Sequence, residues 1–320
     1  MLTQSQLIDV IPNALKSVDL DDAFGTKITG KVRDIYHHDG NRVLIATDRV
    51  SAFDRILGLI PYRGQVLNQL SLWWFEQTKH IVQNHVLASP DPNVTIAKEA
   101  QTIPVEVVVR GYITGVTGTS IWTMYANGER EPYGIVLPEG LQKNDKLPTS
   151  VITPTTKADD GGHDERLTRA EILERKIVVP ELWAQIEATA LALFAHGQKV
   201  AESAGLILVD TKYEFGLIDG QLTLIDEIHT PDSSRYWIKD TYGKEGQDPE
   251  HFDKEFLRLW FAGQGYTGEG TPPTMPPEFI AKVAERYISA FERLTGETFK
   301  PANLPADKRI ISNLKSYIES

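Results

Sequence analysis

The residues best suited to chemistry lie between Leu206 and Trp237, in the stretch LILVDTKYEFGLIDGQLTLIDEIHTPDSSRYW. Its apolar start predicts a buried strand. Asp210, Lys212 and Glu214 then occupy alternate positions, so we expect their side chains to line one face of that strand. Charged groups on a strand that begins as a buried one are costly unless they are paired or bind a metal. This stretch is therefore the predicted active site.

Glu214 and Asp226 form a possible metal site. Two carboxylates on adjacent strands suit Mg²⁺, which prefers oxygen ligands and retains substrate phosphates in its shell. A solvated hairpin face with a lysine–glutamate pair explains this stretch equally well. A two-residue turn at Asp219-Gly220 would pair Ile218 with Gln221 and put the two carboxylates on opposite faces. A shared metal therefore predicts a one-residue shift in the hairpin.

A second set of candidates precedes this region. The segment Thr26–Tyr36 is predicted to be a strand that carries Gly30, Lys31 and Arg33. Gly30 would allow a ligand close to the backbone, and Lys31 and Arg33 would share a strand face and could hold phosphate oxygens. An ordinary exposed basic strand is the favoured alternative for this segment alone. Neither a P-loop nor a dinucleotide-binding glycine pattern is present in the sequence.

An arginine and two polar loops complete the set of candidates. Arg110 lies near the end of a predicted buried strand over Pro104–Gly111, where it needs a carboxylate or a substrate phosphate as partner. Polar loops follow at Thr47–Asp54 and Thr153–Asp164, positions where binding sites are often built. A solvated loop remains the alternative for each, and the single histidine of the second loop does not predict zinc.

Composition limits the classes of function. The 320 residues contain 33 Lys plus Arg and 44 Asp plus Glu, which gives a formal charge of −11. Such a charge argues against broad binding to nucleic acid or to anionic membranes. The chain has no cysteine, which excludes thiolate metal sites and cysteine nucleophiles. No apolar run is long enough to span a membrane and no secretory signal is present, so we expect a cytoplasmic protein.

The predicted elements indicate an α+β fold. Most strands come early and the longer helices late, which suggests a β-rich N-terminal lobe over residues 1–103 and a larger mixed α/β lobe over residues 104–320. Helices are predicted over Gln65–Gln83, Ser120–Tyr125, Pro180–Ala204 and Pro277–Thr295, after the Thr168/Glu171 capping box, and from Asp248-Pro249 onward. Charged loops of the two lobes would meet at a cleft.

Taken together, the motifs resemble one family, the phosphoribosylaminoimidazole-succinocarboxamide synthases (SAICAR synthetases) of purine biosynthesis. The matching pieces are GKVRDIY, TDRVSAFD, VEVVVRGYITG, TPTTKAD with HD, LVDTKYEFG and DEIHTPDSSRYW, in family order from Gly30 to Trp237. The resemblance implies a two-lobed fold related to the ATP-grasp and kinase architectures. It also implies an ATP- and Mg²⁺-dependent ligase that joins L-aspartate to the carboxylate of carboxyaminoimidazole ribonucleotide (CAIR), with release of ADP and phosphate. The length of the chain resembles that of the longer family members and implies a monomer, while its charge and apolar runs predict neither a nucleic-acid nor a membrane partner.

The resemblance also implies roles for individual residues. Gly30, Lys31, Arg33 and Thr102 would lie at ATP; Glu214 and Asp226 would bind the metal; Lys212, Asp210 and Lys157 would be catalytic; and Asp54, Arg110, Ser120, Asp164, Asp232, Ser234 and Arg235 would bind the other substrates. Residues inserted after Gly115 leave Thr117 and Thr119 as alternatives to Ser120 for the ribonucleotide phosphate.

The chemistry expected for the family explains these residue types. Phosphorylation of a carboxylate gives an acyl phosphate that an amine can attack, and phosphoryl transfer depends mainly on positioning and charge neutralisation. Asp210 is the candidate general base for the amine. Two alternatives remain at the level of sequence: a small-molecule kinase that stops at phosphoryl transfer, and a nucleotide-binding regulator without turnover.

Overall fold

The computed structural model describes residues 2–116, 120–157, 165–244 and 246–319. Its helices are α1 (Gln4–Asp9), α2 (Arg63–Thr78), α3 (Ile121–Ala126), α4 (Arg169–Glu174), α5 (Pro180–Ser203), α6 (Glu255–Gly263), α7 (Pro277–Thr295) and α8 (Ala306–Ile318). Its strands are β1 (Thr26–Thr29), β2 (Arg33–His38), β3 (Asn41–Ala46), β4 (Arg49–Ala52), β5 (Arg55–Leu59), β6 (Gln83–Asn84), β7 (Val86–Asp91), β8 (Val94–Lys98), β9 (Gln101–Thr102), β10 (Val105–Tyr112), β11 (Lys146–Ile152), β12 (Thr155–Thr156), β13 (Leu206–Ile218), β14 (Gln221–Ile225) and β15 (Ser234–Ile238).

The N-terminal sheet has the order β1-β2-β3-β8-β7. One face of this sheet carries a small apolar core that includes Tyr36, Ile45 and Ile96, and the C-terminal helix α8 covers it with Ile310 and Leu314. The last helix of the chain therefore packs on its first sheet.

The prediction of one continuous strand over Thr26–Tyr36 is wrong. The segment forms two antiparallel strands, β1 and β2, and the amide of Gly30 donates to the carbonyl of Arg33 at 2.9 Å to close the turn between them. Because Lys31 lies in this turn and Arg33 begins β2, the two side chains do not share a strand face.

The larger sheet is built on β13, which pairs with β10 on one edge and with β14 and β15 on the other. Val107 lies opposite Tyr213, and these buried side chains belong to the main core together with Trp183 of α5 and Trp74 of α2. The intervening positions of β13, Asp210, Lys212 and Glu214, consequently face away from this core.

The hairpin between β13 and β14 has regular register. Ile218 pairs with Gln221 and Glu214 with Ile225. Asp219 and Gly220 both have positive φ, 53° and 77°, as a two-residue hairpin turn of the primed type requires. The predicted one-residue shift is therefore wrong, because this dipeptide closes the turn without an extra residue.

The helix predictions hold with two exceptions. The helix predicted over Gln65–Gln83 runs from Arg63 to Thr78, and Gln83 lies in β6. Thr168 caps α4 with the predicted capping box, and α5 and α7 occupy nearly the predicted ranges. The helix predicted from Asp248-Pro249 begins only at Glu255. The preceding residues instead extend the sheet, since the amide of Ile238 donates to the carbonyl of Glu250 and that of Phe252 to the carbonyl of Tyr236.

The α+β prediction is confirmed: two larger sheets, each with its own apolar core and with helices packed on it, lie in one chain with the two-stranded sheet of β4 and β5. The division of the chain at residue 103 stays a prediction. Within the described residues, no helix is both long and apolar enough to cross a membrane.

Candidate active site

The row on β13 forms the centre of the candidate site. Lys212 Nζ lies 2.5 Å from Glu214 Oε1 and 3.0 Å from Glu106 Oε1 on the neighbouring strand β10. The second oxygen of Glu214 accepts a hydrogen bond from Lys157. Burial alone would lower the pKa of Lys212, but Glu214, Asp226 and Glu106 outweigh this effect and raise it. Lys212 is therefore held as a cation beside a carboxylate that is itself buried.

Asp226 joins the same cluster by a different route from the one predicted. It directly follows β14 and has a positive φ of 67°, so the alternation of the strand ends before it. Its carboxylate forms an ion pair with Arg33. Burial would raise the pKa of Asp226, but Arg33 and then Lys212 and Lys157 hold it well below its usual range.

The nucleotide candidates of the N-terminal sheet divide into two groups. Arg33 faces the cluster and reaches both Asp226 and, at 3.5 Å, Glu227. Lys31 instead pairs with Asp54 at 2.7 Å, and both of these side chains are mostly exposed. The buried Arg49 stabilises the turn between β1 and β2 by donating to the carbonyl oxygens of Gly30 and Lys31. The remaining nucleotide candidate, Thr102, lies on β9 of the larger sheet, opposite Gly216 of β13.

A second charged group lies farther along the same face of β13. Arg110 Nη1 and Arg235 Nη1 both donate to Asp210 Oδ2, at 3.2 and 2.8 Å. The register explains this contact, because Asp210 lies opposite Arg110 of β10 and Arg235 of β15. The predicted need of Arg110 for a partner is thus met by a carboxylate in this structure.

A cavity of about 430 Å³ opens beside Arg235. Gly115, Lys143 and His251 lie in its wall. Ser120 is buried and caps α3 by accepting from the amide of Thr123. Asp164, Thr117 and Thr119 lie outside the described residues.

Asp232 lies in the loop before β15, and Ser234 is the first residue of β15. Asp232 accepts from Arg63, from Lys254 at 2.8 Å and from the Tyr287 hydroxyl at 2.5 Å. The Ser234 hydroxyl is 2.7 Å from that of Thr211. Both residues therefore lie near Arg235, but Asp232 is enclosed by partners from α2, α7 and the segment before α6.

Sequence reasoning missed Arg63, Lys254, Arg258 and Glu227. Arg63 is fully buried and also donates to the carbonyl of Arg49 at 2.6 Å. Lys254 and Arg258 line a small cavity of about 100 Å³ beside Ser233 and Arg235. Only Glu227, next to Asp226 in the DE dipeptide, carried a local signal; the others are isolated basic residues in segments predicted as loop or helix.

The carboxylates of Glu214 and Asp226 suit a hard cation, because their ligand atoms are oxygens. A Mg²⁺ site needs only one or two carboxylates besides substrate phosphates. In the described part of the chain, no group of three or more His, Cys, Asp or Glu side chains is arranged to hold a metal ion.

Comparison with known proteins places the chain among its relatives. A family model described as SAICAR synthetase matches residues 26–273. The phosphoribosylaminoimidazole-succinocarboxamide synthase of Legionella pneumophila (strain Lens) is 50% identical over 305 residues, which cover 92% of this chain and 96% of that protein. The chloroplastic synthase of Arabidopsis thaliana is 47% identical over 100% of this chain and 76% of that protein. The solved SAICAR synthase of Saccharomyces cerevisiae in complex with SAICAR gives a TM-score of 0.79 at 31% identity, over 90% of this chain and 100% of that one.

Proposed function

The chain belongs to the SAICAR synthetase family, the ATP-dependent ligases of purine biosynthesis, and on this basis we propose which residues bind each substrate and the metal. The enzyme joins L-aspartate to the carboxylate of CAIR and uses ATP. The observation that carries our assignment is the row on β13, where the Lys212–Glu214 pair and the Asp210 carboxylate share one face. ATP and its metal would bind at the first, and the ribonucleotide at the second.

We assign the nucleotide phosphates to the cluster around Arg33, Lys157 and Lys212. These cations already surround Glu214 and Asp226, so they lie where charge would need neutralising during phosphoryl transfer. Gly30 and Lys31 would close over the phosphates from the turn between β1 and β2, and Thr102 would border the base. Glu214 and Asp226 would hold Mg²⁺, which when bound neutralises phosphate charge.

We assign the ribonucleotide phosphate to Arg110, Arg235 and Ser120. The contact of both arginines with Asp210 supports a positioning role for this carboxylate, because it fixes two guanidinium groups at the wall of a cavity. No hydrogen bond within the described residues reaches Asp210 Oδ1, so this oxygen is our candidate acceptor for the proton of the attacking amine. Ser234, Asp54 and Asp164 stay predicted contacts of the substrates.

We propose the small cavity beside Ser233 as the site of L-aspartate. Lys254 and Arg258 line it together with Arg235 and the carboxylates of Asp210, Asp232, Asp253 and Glu255. We assign one carboxylate of the substrate to Lys254 and the other to Arg258. Asp232 would act through Lys254, which it holds at 2.8 Å, as a positioning residue.

The proposed mechanism begins with phosphorylation of the CAIR carboxylate. An oxygen of that carboxylate attacks the γ-phosphorus of ATP, and ADP leaves. The amine of aspartate then attacks the acyl phosphate, and the bond from the carbonyl carbon to the phosphate oxygen breaks. One carboxylate oxygen therefore leaves within inorganic phosphate.

The test is to label the CAIR carboxylate with heavy oxygen and to analyse the released phosphate by mass spectrometry. We expect labelled phosphate and ADP release that depends on aspartate. Unlabelled phosphate alongside amide formation would contradict the mechanism, and sustained ADP release without aspartate would favour the kinase alternative.

We also propose that the protein is a monomer and is located in the cytoplasm.

A further inference from the structure

Arg63, at the start of α2, contacts two segments that are distant from each other in sequence. The residue is 1% exposed. Its Nη1 atom donates to the carbonyl oxygen of Arg49 at 2.6 Å and to that of Thr47 at 3.3 Å. Its Nη2 atom forms an ion pair with Asp232, in the loop before β15. One guanidinium group therefore connects the start of β4 to the loop that precedes β15.

The first of these segments supports the turn between β1 and β2. Arg49, whose carbonyl oxygen accepts from Arg63, donates through its own side chain to the carbonyl oxygens of Gly30 at 3.1 Å and Lys31 at 3.2 Å. The same side chain pairs at 2.9 Å with Asp34, which is completely buried and fixes its orientation. A single residue, Arg49, thus separates Arg63 from the turn that we assign to the ATP phosphates.

The second segment carries Asp232 and, through it, Lys254. The oxygen of Asp232 that accepts from Arg63 also accepts from Lys254 at 2.8 Å. The Tyr287 hydroxyl donates to the other oxygen at 2.5 Å. The ring of Tyr287 faces the guanidinium of Arg63, with 5.7 Å from Cζ to the ring centroid. Arg63 therefore helps to orient Lys254, to which we assign one carboxylate of L-aspartate.

A guanidinium suits this position because its terminal nitrogens can reach different partners in a fixed planar geometry. An ammonium group carries all its donors on one atom and cannot reproduce this fork. The backbone that carries Arg63 is also fixed, since the amide of Gly64 donates to Asp48 Oδ1 at 2.9 Å. The side chain is consequently held by the start of α2 and by its partners in both segments.

We propose that Arg63 is a positioning residue that fixes the turn at the ATP phosphates relative to the Lys254 side of the aspartate site. This rests on the function proposed above, in which the acyl phosphate forms beside that turn and the amine arrives from the aspartate cavity. The relative position of the two sites decides whether the amine can reach the acyl phosphate. A misplacement of about 1 Å between reacting groups can reduce a rate about 100-fold.

The test compares three variants of the full-length enzyme by ADP release, with each substrate varied in turn. Arg63→Lys keeps a cation beside Asp232 but loses the fork. We expect the KM values for ATP and for aspartate to rise together, kcat to fall about tenfold, and the KM for CAIR to change less than about twofold. Arg49→Lys loosens only the turn and should raise the KM for ATP alone. Tyr287→Phe removes only the hydroxyl at Asp232 and should raise the KM for aspartate alone.

Arg309→Lys is the matched control, because Arg309 is another largely buried arginine that pairs with a buried carboxylate, Asp91. It should lower the denaturant midpoint of unfolding but leave all three KM values unchanged. The same pattern in Arg63→Lys, a lower midpoint with normal kinetic constants, would show a merely structural role and overturn the proposal. A rise in only one of the KM values for ATP and aspartate would overturn it as well.

Two further outcomes separate this proposal from the assignment of the aspartate site. If Arg63→Lys does not fold, Tyr287→Phe decides, since an unchanged KM for aspartate in that variant overturns the proposal. Lys254→Met tests the site itself: an unchanged KM for aspartate there would refute both the aspartate site and the proposal. A raised KM in Lys254→Met together with normal constants in Arg63→Lys would refute the positioning role alone.

Discussion

Asp226 owes its place in the site to one backbone torsion. Regular pairing puts Glu214 opposite Ile225, which would turn Asp226 to the other face if the strand continued. The positive φ at Asp226 ends the alternation at that residue, and its carboxylate meets Arg33 of the N-terminal sheet. Alternation in the sequence correctly grouped Asp210, Lys212 and Glu214, but it could not reveal a left-handed residue that is neither glycine nor asparagine.

Neutralising either carboxylate of the proposed metal site should strongly reduce turnover. Glu214→Gln and Asp226→Asn preserve side-chain volume but remove a negative oxygen ligand, so we expect turnover to fall about 100-fold or more. ADP release would be measured across a range of Mg²⁺ concentrations. Asp219→Asn, at the exposed tip of the same hairpin, is the control and should retain activity. Activity like that of the wild type in Glu214→Gln or Asp226→Asn at ordinary Mg²⁺ would remove the metal assignment.

Replacing the guanidinium of Arg235 with an ammonium group should weaken the binding of one substrate, CAIR. Arg235→Lys cannot reproduce a bidentate fork, so we expect the KM for CAIR to rise roughly tenfold while that for ATP changes little. Initial rates with each substrate varied in turn give both constants. Arg169→Lys, an exposed residue paired with Glu187, serves as control. An effect confined to ATP would place Arg235 in the other subsite.

At the scale of elements, sequence patterns predicted strand and helix identity better than their junctions. β10, α5 and α7 were predicted nearly as found, because each has a long uniform pattern and clear ends. The turn of Gly30, Lys31 and Val32 was missed because apolar alternation continues through it. The start of α6 was misplaced because hydrogen bonds to β15 hold residues 250–252 extended, and the helical pattern of the sequence does not reveal this pairing.

The junction of β3 and α2 depends on Gly64. A Cβ at this position would lie 2.2 Å from the carbonyl oxygen of Ala46, and its amide donates to Asp48 Oδ1 at 2.9 Å. Gly64→Ala should therefore force the strand and helix apart and destabilise the fold by about 1–3 kcal/mol. Gly263→Ala in α6 meets no atom within 4 Å and should be neutral or stabilising by up to about 1 kcal/mol. Urea unfolding of the two variants measures the difference, and equal midpoints would refute this account of the junction.

At the scale of the whole molecule, a buried histidine should make stability depend on pH. His229 is fully buried against Trp74, and burial lowers its pKa to about 3. Between pH 6.5 and 3 the unfolded chain takes up a proton at this residue and the folded chain does not, so stability is lost as pH falls. The free energy of unfolding of the wild type, relative to His229→Gln, should fall by roughly 1.4 kcal/mol per pH unit below pH 6.5. A difference between the two that is constant from pH 7 to 4.5 would show that His229 accepts a proton in the folded state.

The N-terminal sheet and the C-terminal helix are joined by a contact that spans most of the chain. Arg309 of α8 donates to both oxygens of Asp91, at 2.8 and 3.2 Å, and to Asn93 Oδ1 at 2.6 Å. The Asp91 side chain is completely buried. The sequence around residue 309 does not predict the contact with Asp91, because a contact between positions so distant in sequence depends on how the elements pack.

Removing Arg309 should therefore cost far more than removing a surface charge from the same helix. Among the described residues, Arg309→Met leaves the buried Asp91 carboxylate with only neutral donors, Asn313 Nδ2 and the amide of Asn93. The loss of one partner of a buried pair costs about 3–5 kcal/mol. Lys315→Met breaks an ion pair with Asp21 in which both side chains are about half exposed, which should cost no more than about 1 kcal/mol. Chemical unfolding gives both values, and hydrogen exchange in β7 and β8 should accelerate in Arg309→Met alone. If the two variants unfold at the same denaturant concentration, α8 does not stabilise the sheet through Asp91. The apolar contacts that Ile310 and Leu314 of α8 make with the sheet must then hold the helix in place.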